Sequence, residues 1–144
     1  DMREVLFVCT GNYYRSRYSE IVFNYHAKIQ NVSWVATSRG FRLSPKNIGP
    51  LSAWATKGLA DRGVVDSSTD RLPIQVELED FQRASTIVAL KEEEHRPFVV
   101  ERFSRFSPKI TYWNIHDMAP TAAYDPMLEM DTAVRELIDH LVAE

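Results

Sequence analysis

Val5-Leu6-Phe7-Val8-Cys9-Thr10-Gly11-Asn12-Tyr13-Tyr14-Arg15-Ser16 is the stretch on which the reading of this chain turns. Its first four residues are apolar and mostly β-favouring, the mark of a strand covered on both faces. A loop containing Gly11 and Asn12 follows, and then Tyr18, Ile21, Val22, Tyr25 and Ile29 recur at the spacing of one helical face. The alternation continues downstream. A second strand is expected over 32–37, and a helix carries Leu51, Trp54, Ala55 and Leu59 until Gly63 stops it. A short helix over 76–84 feeds a strand over 86–90, and a helical stretch over 91–103 has Phe98, Val99 and Phe103 facing inward and Pro97 breaking or restarting it. After Pro108 comes a strand over 110–113, then a loop over 114–126 with Pro120 and Pro126. A final helix shows Met130, Ala133, Val134, Leu137, Ile138 and Leu141 as an apolar stripe.

Four short strands alternating with helices predict an α/β fold: a three-layer sandwich with a four-stranded parallel sheet and helices on both faces. Ligands of such sheets sit beyond the carboxyl ends of the strands. Cys9 lies at such an end, and so does the loop after Trp113, so two segments about a hundred positions apart are expected on one rim.

The chain has 144 residues, 44% hydrophobic and 26% charged, which excludes disordered and fibrous classes and fits a single domain over 1–144. The net charge of −3 gives no general reason to bind nucleic acid or an anionic membrane, so any anion site must be local. Cys9 is the one cysteine, which rules out an intramolecular disulfide, and no Cys/His spacing suits a metal. With no long apolar run and no basic leader, a cytoplasmic location is expected. Asp1 ahead of Met2 reads as an addition before the natural start.

Residues 9–16 have the form C-x5-R-S between a buried strand and a helix. A thiol is a strong nucleophile only as thiolate, and a helix N-terminus with a nearby arginine favours that form. The same N–H groups cradle a phosphoryl dianion, Gly11 and Asn12 tolerate the left-handed backbone such a nest needs, and the fork of Arg15 matches two phosphoryl oxygens. Ser16 is placed to donate to the thiolate. The plain alternative is a core cysteine, and an arginine six positions after a cysteine arises by chance roughly one time in sixteen. The combination of strand, Gly-Asn, Arg-Ser and amphipathic helix is what favours phosphate chemistry.

With those residues in view, the run FVCTGNYYRSRYSE over 7–20 resembles the active-site loop of the low-molecular-weight protein tyrosine phosphatases. Ser38-Arg39-Gly40 is similar to the family's Ser-Ala-Gly segment, the strand ending at Leu90 sits where its third strand would, and Tyr112-Trp113 precedes the expected acid loop. The likeness spans nearly the whole chain. It implies Cys9 as nucleophile, Arg15 as the phosphate-binding arginine, Asn12 as the residue shaping the loop and Ser16 as the hydroxyl supporting the thiolate. Thr10, Gly11, Asn12, Tyr13, Tyr14 and Ser16 become the substrate-binding loop, with no metal or organic cofactor. Three positions depart from the family pattern. Tyr14 stands where a second cysteine is common, so no protective disulfide forms and oxidative inactivation should be easy. Tyr13 is bulkier than the usual aliphatic residue or threonine, which leaves pocket width and the choice between aryl and other phosphate esters open. Arg17 replaces the usual proline and is read as solvated.

Cleaving a phosphate ester needs a proton for the leaving oxygen. The family draws it from an Asp-Pro after the last strand. Asp117 has the spacing but Met118 follows it; Asp125-Pro126 has the dipeptide but lies eight positions further on. Asp117 is favoured, since distance from the strand end sets reach, while Asp125 has an ordinary role as the cap of the last helix. His116 is read as solvated, His26, His95 and His140 as structural or surface, and Glu92-Glu93-Glu94 as a solvated helix start. Tyr124 either lines the site or covers the last helix.

The expectation is a cysteine-dependent phosphomonoesterase, a protein tyrosine phosphatase, using Cys9, Arg15 and Asp117. Its partners would be a phosphorylated protein or small aryl phosphate as substrate and inorganic phosphate as product. The alternatives are a thiol-dependent arsenate reductase needing an external thiol, and a non-catalytic phosphate- or phosphopeptide-binding module. Specificity is expected from the rim segments 44–50 and 114–126.

Overall fold

A computed structural model describes residues 2–119 and 124–144. Strand β1 (Arg3–Cys9) is followed by helix α1 (Arg15–Ile29), β2 (Trp34–Gly40), α2 (Ala53–Asp61), α3 (Leu78–Arg83), β3 (Thr86–Ala89), α4 (Glu92–Arg102), β4 (Ile110–Tyr112) and α5 (Pro126–Ala143). Short 3₁₀ turns cover Ser67–Asp70 and Ser104–Lys109. The four strands form one parallel sheet in the order β2-β1-β3-β4, the expected α/β sandwich. Val5, Leu6, Phe7 and Val8 are fully buried, because side chains alternate to the two faces and both are covered. Val5 and Phe7 pack with Tyr18, Ile21, Val134 and Ile138 of α1 and α5, while Leu6 and Val8 pack with Phe81, Val99 and Phe103 on the α3 and α4 side. Among the described residues, no helix is long and apolar enough to cross a membrane.

The differences from the sequence expectation are local. The second strand begins at Trp34 because the Val32 N–H still bonds the Ala27 carbonyl and Asn31 turns the chain at φ 56°. Ile29 is 65% exposed, since α1 outruns the sheet, whereas Phe23, off the anticipated stripe, is buried. Pro97 does not break α4. The carbonyl that it leaves without its usual helical donor belongs to the exposed Glu93, where water can replace the lost bond. Ser52 caps α2 by accepting from the Ala55 N–H, and Gly63 ends that helix region at φ 68°. Pro120 lies outside the described residues.

Candidate active site

In the parallel register Cys9 faces Gly40 of β2, and Val8 faces Ala89 near the end of β3, so the loops after three strands crowd around the thiol. Gly40 is required there: a Cβ would stand 2.8 Å from the Thr10 carbonyl oxygen. Asn12 takes the left-handed turn, at φ 52°, and is completely buried. Its amide donates to Ser16 Oγ at 2.8 Å and Ser38 Oγ at 2.9 Å; its oxygen accepts from Arg71 at 3.1 Å and the Ile74 N–H at 3.0 Å. All four positions of the amide are thus filled, which offsets the cost of the backbone angle. With Ser16 Oγ accepting from Asn12, its own proton is free for Cys9 Sγ, 2.9 Å away.

Gly11 is not left-handed, contrary to expectation; its lack of a side chain serves a close approach, since a Cβ would sit 3.0 Å from Asn47 Nδ2. Asn12 and Ser16 lie behind the loop rather than in the cleft, so they shape the nest from beneath. Thr10, Gly11, Tyr13, Tyr14 and Arg15 do line a cleft of about 340 Å³ with Cys9. Tyr13 donates to the Ile48 carbonyl at 2.6 Å, tying the loop to the 44–50 rim, from which Ser44 and Asn47 also reach the cleft. Tyr14 is 5% exposed, and its hydroxyl is buried with no partner among the described residues. It gives α1 no side-chain cap, which leaves the first-turn N–H groups for an anion.

Arg15 is 3% exposed and aimed by Glu94. Nη1 donates to Glu94 Oε1 at 3.0 Å and to the Ile115 carbonyl at 3.1 Å, and Nη2 donates to Glu94 Oε2 at 2.7 Å. The end of the fork is therefore taken. Among the described residues no hydrogen bond takes Nε–H or the second Nη2–H, so the side of the fork is left for two oxygens of an anion. Burial pulls the Arg15 guanidinium down, but the hydrogen bond to Glu94 and the negative charges around it hold it above its ordinary value. Glu94 also accepts from Thr10 Oγ1, and its Oε2 is 3.2 Å from His95 Nε2. The His95 hydrogen bond is the largest cause holding the Glu94 carboxyl well below the usual carboxylate range, with Arg15 and Thr10 adding to it. His95 is itself fully buried, and burial lowers it. Its Nδ1 accepts from the Lys91 N–H at 2.9 Å, so a neutral ring carries its proton on Nε2, toward Glu94.

Glu94 is thus corrected from a solvated helix start, while His95, expected to be structural or surface, is a buried group whose partners are Glu94 and the Lys91 N–H. Arg17 is corrected too: it is buried, donating to Glu20 at 2.8 Å and to the Ser68 carbonyl at 2.6 Å. Arg71 and Glu20, both missed, complete that buried network with Ser38.

Asp117 lines the Cys9 cleft, with Oδ1 4.0 Å from Arg15 Nε, and is largely exposed. Asp125 instead accepts from the Met127 N–H at 2.9 Å as the cap of α5, and borders the next hollow with Trp54 and Met118. His116 is exposed and meets the Tyr124 ring edge to face, and the Tyr124 hydroxyl accepts the His116 backbone N–H. Among the described residues, no cluster of three or more His, Cys, Asp or Glu is arranged to hold a metal.

Replacing Glu94 with Gln should lower kcat/KM by about 10- to 100-fold, the scale of a hydrogen bond to a charged group. Steady-state rates and the inhibition constant of inorganic phosphate check this. A change under twofold in both would show that Arg15 holds its place unaided.

A family model described as low molecular weight phosphotyrosine protein phosphatase matches residues 4–141. No curated protein matches the chain. Among solved structures, the low molecular weight protein tyrosine phosphatase from T. tengcongensis is 26% identical, with 98% of each chain covered and a TM-score of 0.78. YfkJ from Bacillus subtilis is 21% identical, with 99% of this chain and 96% of that one covered and a TM-score of 0.84. YwlE arginine phosphatase from Geobacillus stearothermophilus is 22% identical, covering 98% and 94%, with a TM-score of 0.77.

Proposed function

The chain belongs to the low-molecular-weight phosphotyrosine protein phosphatases, and on that premise we propose that it hydrolyses aryl phosphate monoesters, phosphotyrosine in proteins first among them. The observation that carries this reading is one cleft in which Cys9, the open side of the Arg15 fork and Asp117 meet. The Cys9 thiolate attacks phosphorus in line, so an S–P bond forms as the bond to the phenolic oxygen breaks. Asp117 gives its proton to that oxygen. Arg15 and the loop N–H groups hold the equatorial oxygens where charge develops. Water then attacks phosphorus, Asp117 takes its proton, the S–P bond breaks, and inorganic phosphate leaves with the thiolate restored.

Support for an aryl substrate comes from the walls. Tyr13, Trp54 and Met118 border the cleft, and Trp54 is 44% exposed, a flat surface for a ring to stack on. Phosphoarginine is the competitor to test, because an arginine phosphatase shares the fold. The experiment compares kcat/KM for a phosphotyrosine peptide with that for phosphoarginine. Phosphotyrosine should lead by at least about tenfold, with Trp54→Ala eroding the lead. The reverse order would assign the enzyme to phosphoarginine.

A further inference from the structure

Strand β4 has β3 on one side and, among the described residues, no strand on the other. The Trp113 N–H donates to the Ala89 carbonyl and the Ile115 N–H to the Leu90 carbonyl. Strand alternation therefore turns the backbone groups of Tyr112 and Asn114 outward, free to pair with an added strand. The edge runs between two hollows. One, of about 850 Å³ against α4, is floored by Pro97, Val100, Tyr112 and Trp113. The other, of about 570 Å³ against α5, meets it at Trp113 and Asn114 and exposes Leu128. Val100 and Leu128 are 61% and 60% exposed.

The rims are acidic. Glu92, Glu93 and Glu101 border the first hollow and Glu129 and Glu136 the second. Among the described residues, Arg96 is the one cation lining either, and it is hydrogen-bonded to Glu92. Five carboxylates against one guanidinium leave the lining of this edge at a net −4.

Such a face fits a basic, extended segment. Alternate side chains of an added strand fall to opposite faces, here toward the glutamates of α4 and those of α5. Lys and Arg bring both the charge and the aliphatic stem that would cover Val100 and Leu128. A second copy of this chain would set like charges against like, and a nucleic acid or anionic membrane would be repelled. We propose that the β4 edge docks a basic, extended segment of the phosphorylated protein, apart from the phosphorylated residue itself. This rests on the phosphatase reading of the cleft. Glu92 is two residues from Glu94 and Asn114 three from Asp117, so a chain seated on the edge has its next residues beside Arg15.

The test uses the full chain and two probes. The first is a fluorescent, unphosphorylated peptide with Lys or Arg at adjacent positions, so that cations fall to both faces of the added strand, followed by anisotropy. The second joins that segment through a Gly/Ser linker to a phosphotyrosine peptide, with a glutamate-for-lysine segment as control. The basic peptide should bind wild type at least about tenfold more tightly than it binds Glu93→Lys/Glu101→Lys or Glu129→Lys/Glu136→Lys. The joined substrate should show a KM lower than its control by a similar factor, with p-nitrophenyl phosphate turnover equal in all three proteins. N-methylation at alternate residues keeps the charge but removes the pairing donors, and should abolish the advantage. Equal KM for the two tails, unchanged preference in the charge-reversed variants, or full binding of the N-methylated peptide would overturn the proposal. Segment binding with no turnover of any phosphate ester would instead overturn the phosphatase reading and leave the docking edge standing.

Discussion

Cys9→Ser protein should turn over p-nitrophenyl phosphate at least about 10⁴-fold more slowly than wild type and keep its fold. The size of the loss follows from chemistry. A serine hydroxyl in this position keeps its proton, and among the described residues the group hydrogen-bonded to it, 2.9 Å away, is another hydroxyl, Ser16, which is not a base. The fold survives because the substitution changes one atom in a 3% exposed site that can still form the Ser16 hydrogen bond. Steady-state rates and a thermal melt test both halves. Orthovanadate binding, measured in parallel, should be retained, since the loop and Arg15 are untouched. A wild-type rate no higher than that of Cys9→Ser would leave an anion-binding module in place of an enzyme.

The second large effect separates the two aspartates. Asp117→Asn should slow hydrolysis of phenyl phosphate by about 10²- to 10³-fold, the range for loss of a general acid. The deficit should shrink for p-nitrophenyl phosphate, whose leaving group departs without help. Asp125→Asn should stay within about twofold on both, because asparagine caps a helix as well as aspartate does. Asp125→Ala, by contrast, removes the acceptor of the Met127 N–H and should cost about 1 kcal/mol in stability with little change in rate. If the two asparagine variants exchange behaviour, the acid is Asp125.

What was legible in the sequence was local. Residues 5–16 announce a buried strand, a turn and a helix through their own order, and Asp125-Pro126 announces a helix start in the same way. The network behind the loop was not legible because it is assembled across the fold. Glu94 sits in a run of three glutamates whose pattern is that of a solvated first turn, and only the pairing of β3 beside β1 brings it against Arg15. One usable signal existed: in a parallel sheet the residues just after every strand gather on the same rim, and Glu94 follows β3 as closely as Arg15 follows β1. Arg17 looked like a solvated charge because its partners, Glu20 one turn on and the Ser68 carbonyl, matter only once residues 67–71 cross α1. Ile29 misled in the other direction, since helical periodicity does not tell where the sheet beneath a helix ends.

Asn12 is held by Arg71 and by the Ile74 N–H, partners 59 and 62 positions along the chain. The curvature of the nucleophile loop is therefore a property of the finished fold and not of its eight residues. The thiol sits at the end of its own strand, but the nest around it needs residues 71–74 in place, so competence requires the assembled fold. By the same logic a graft of residues 9–16 into another strand–helix junction would carry the reactive side chains without the arrangement that gives them a common target.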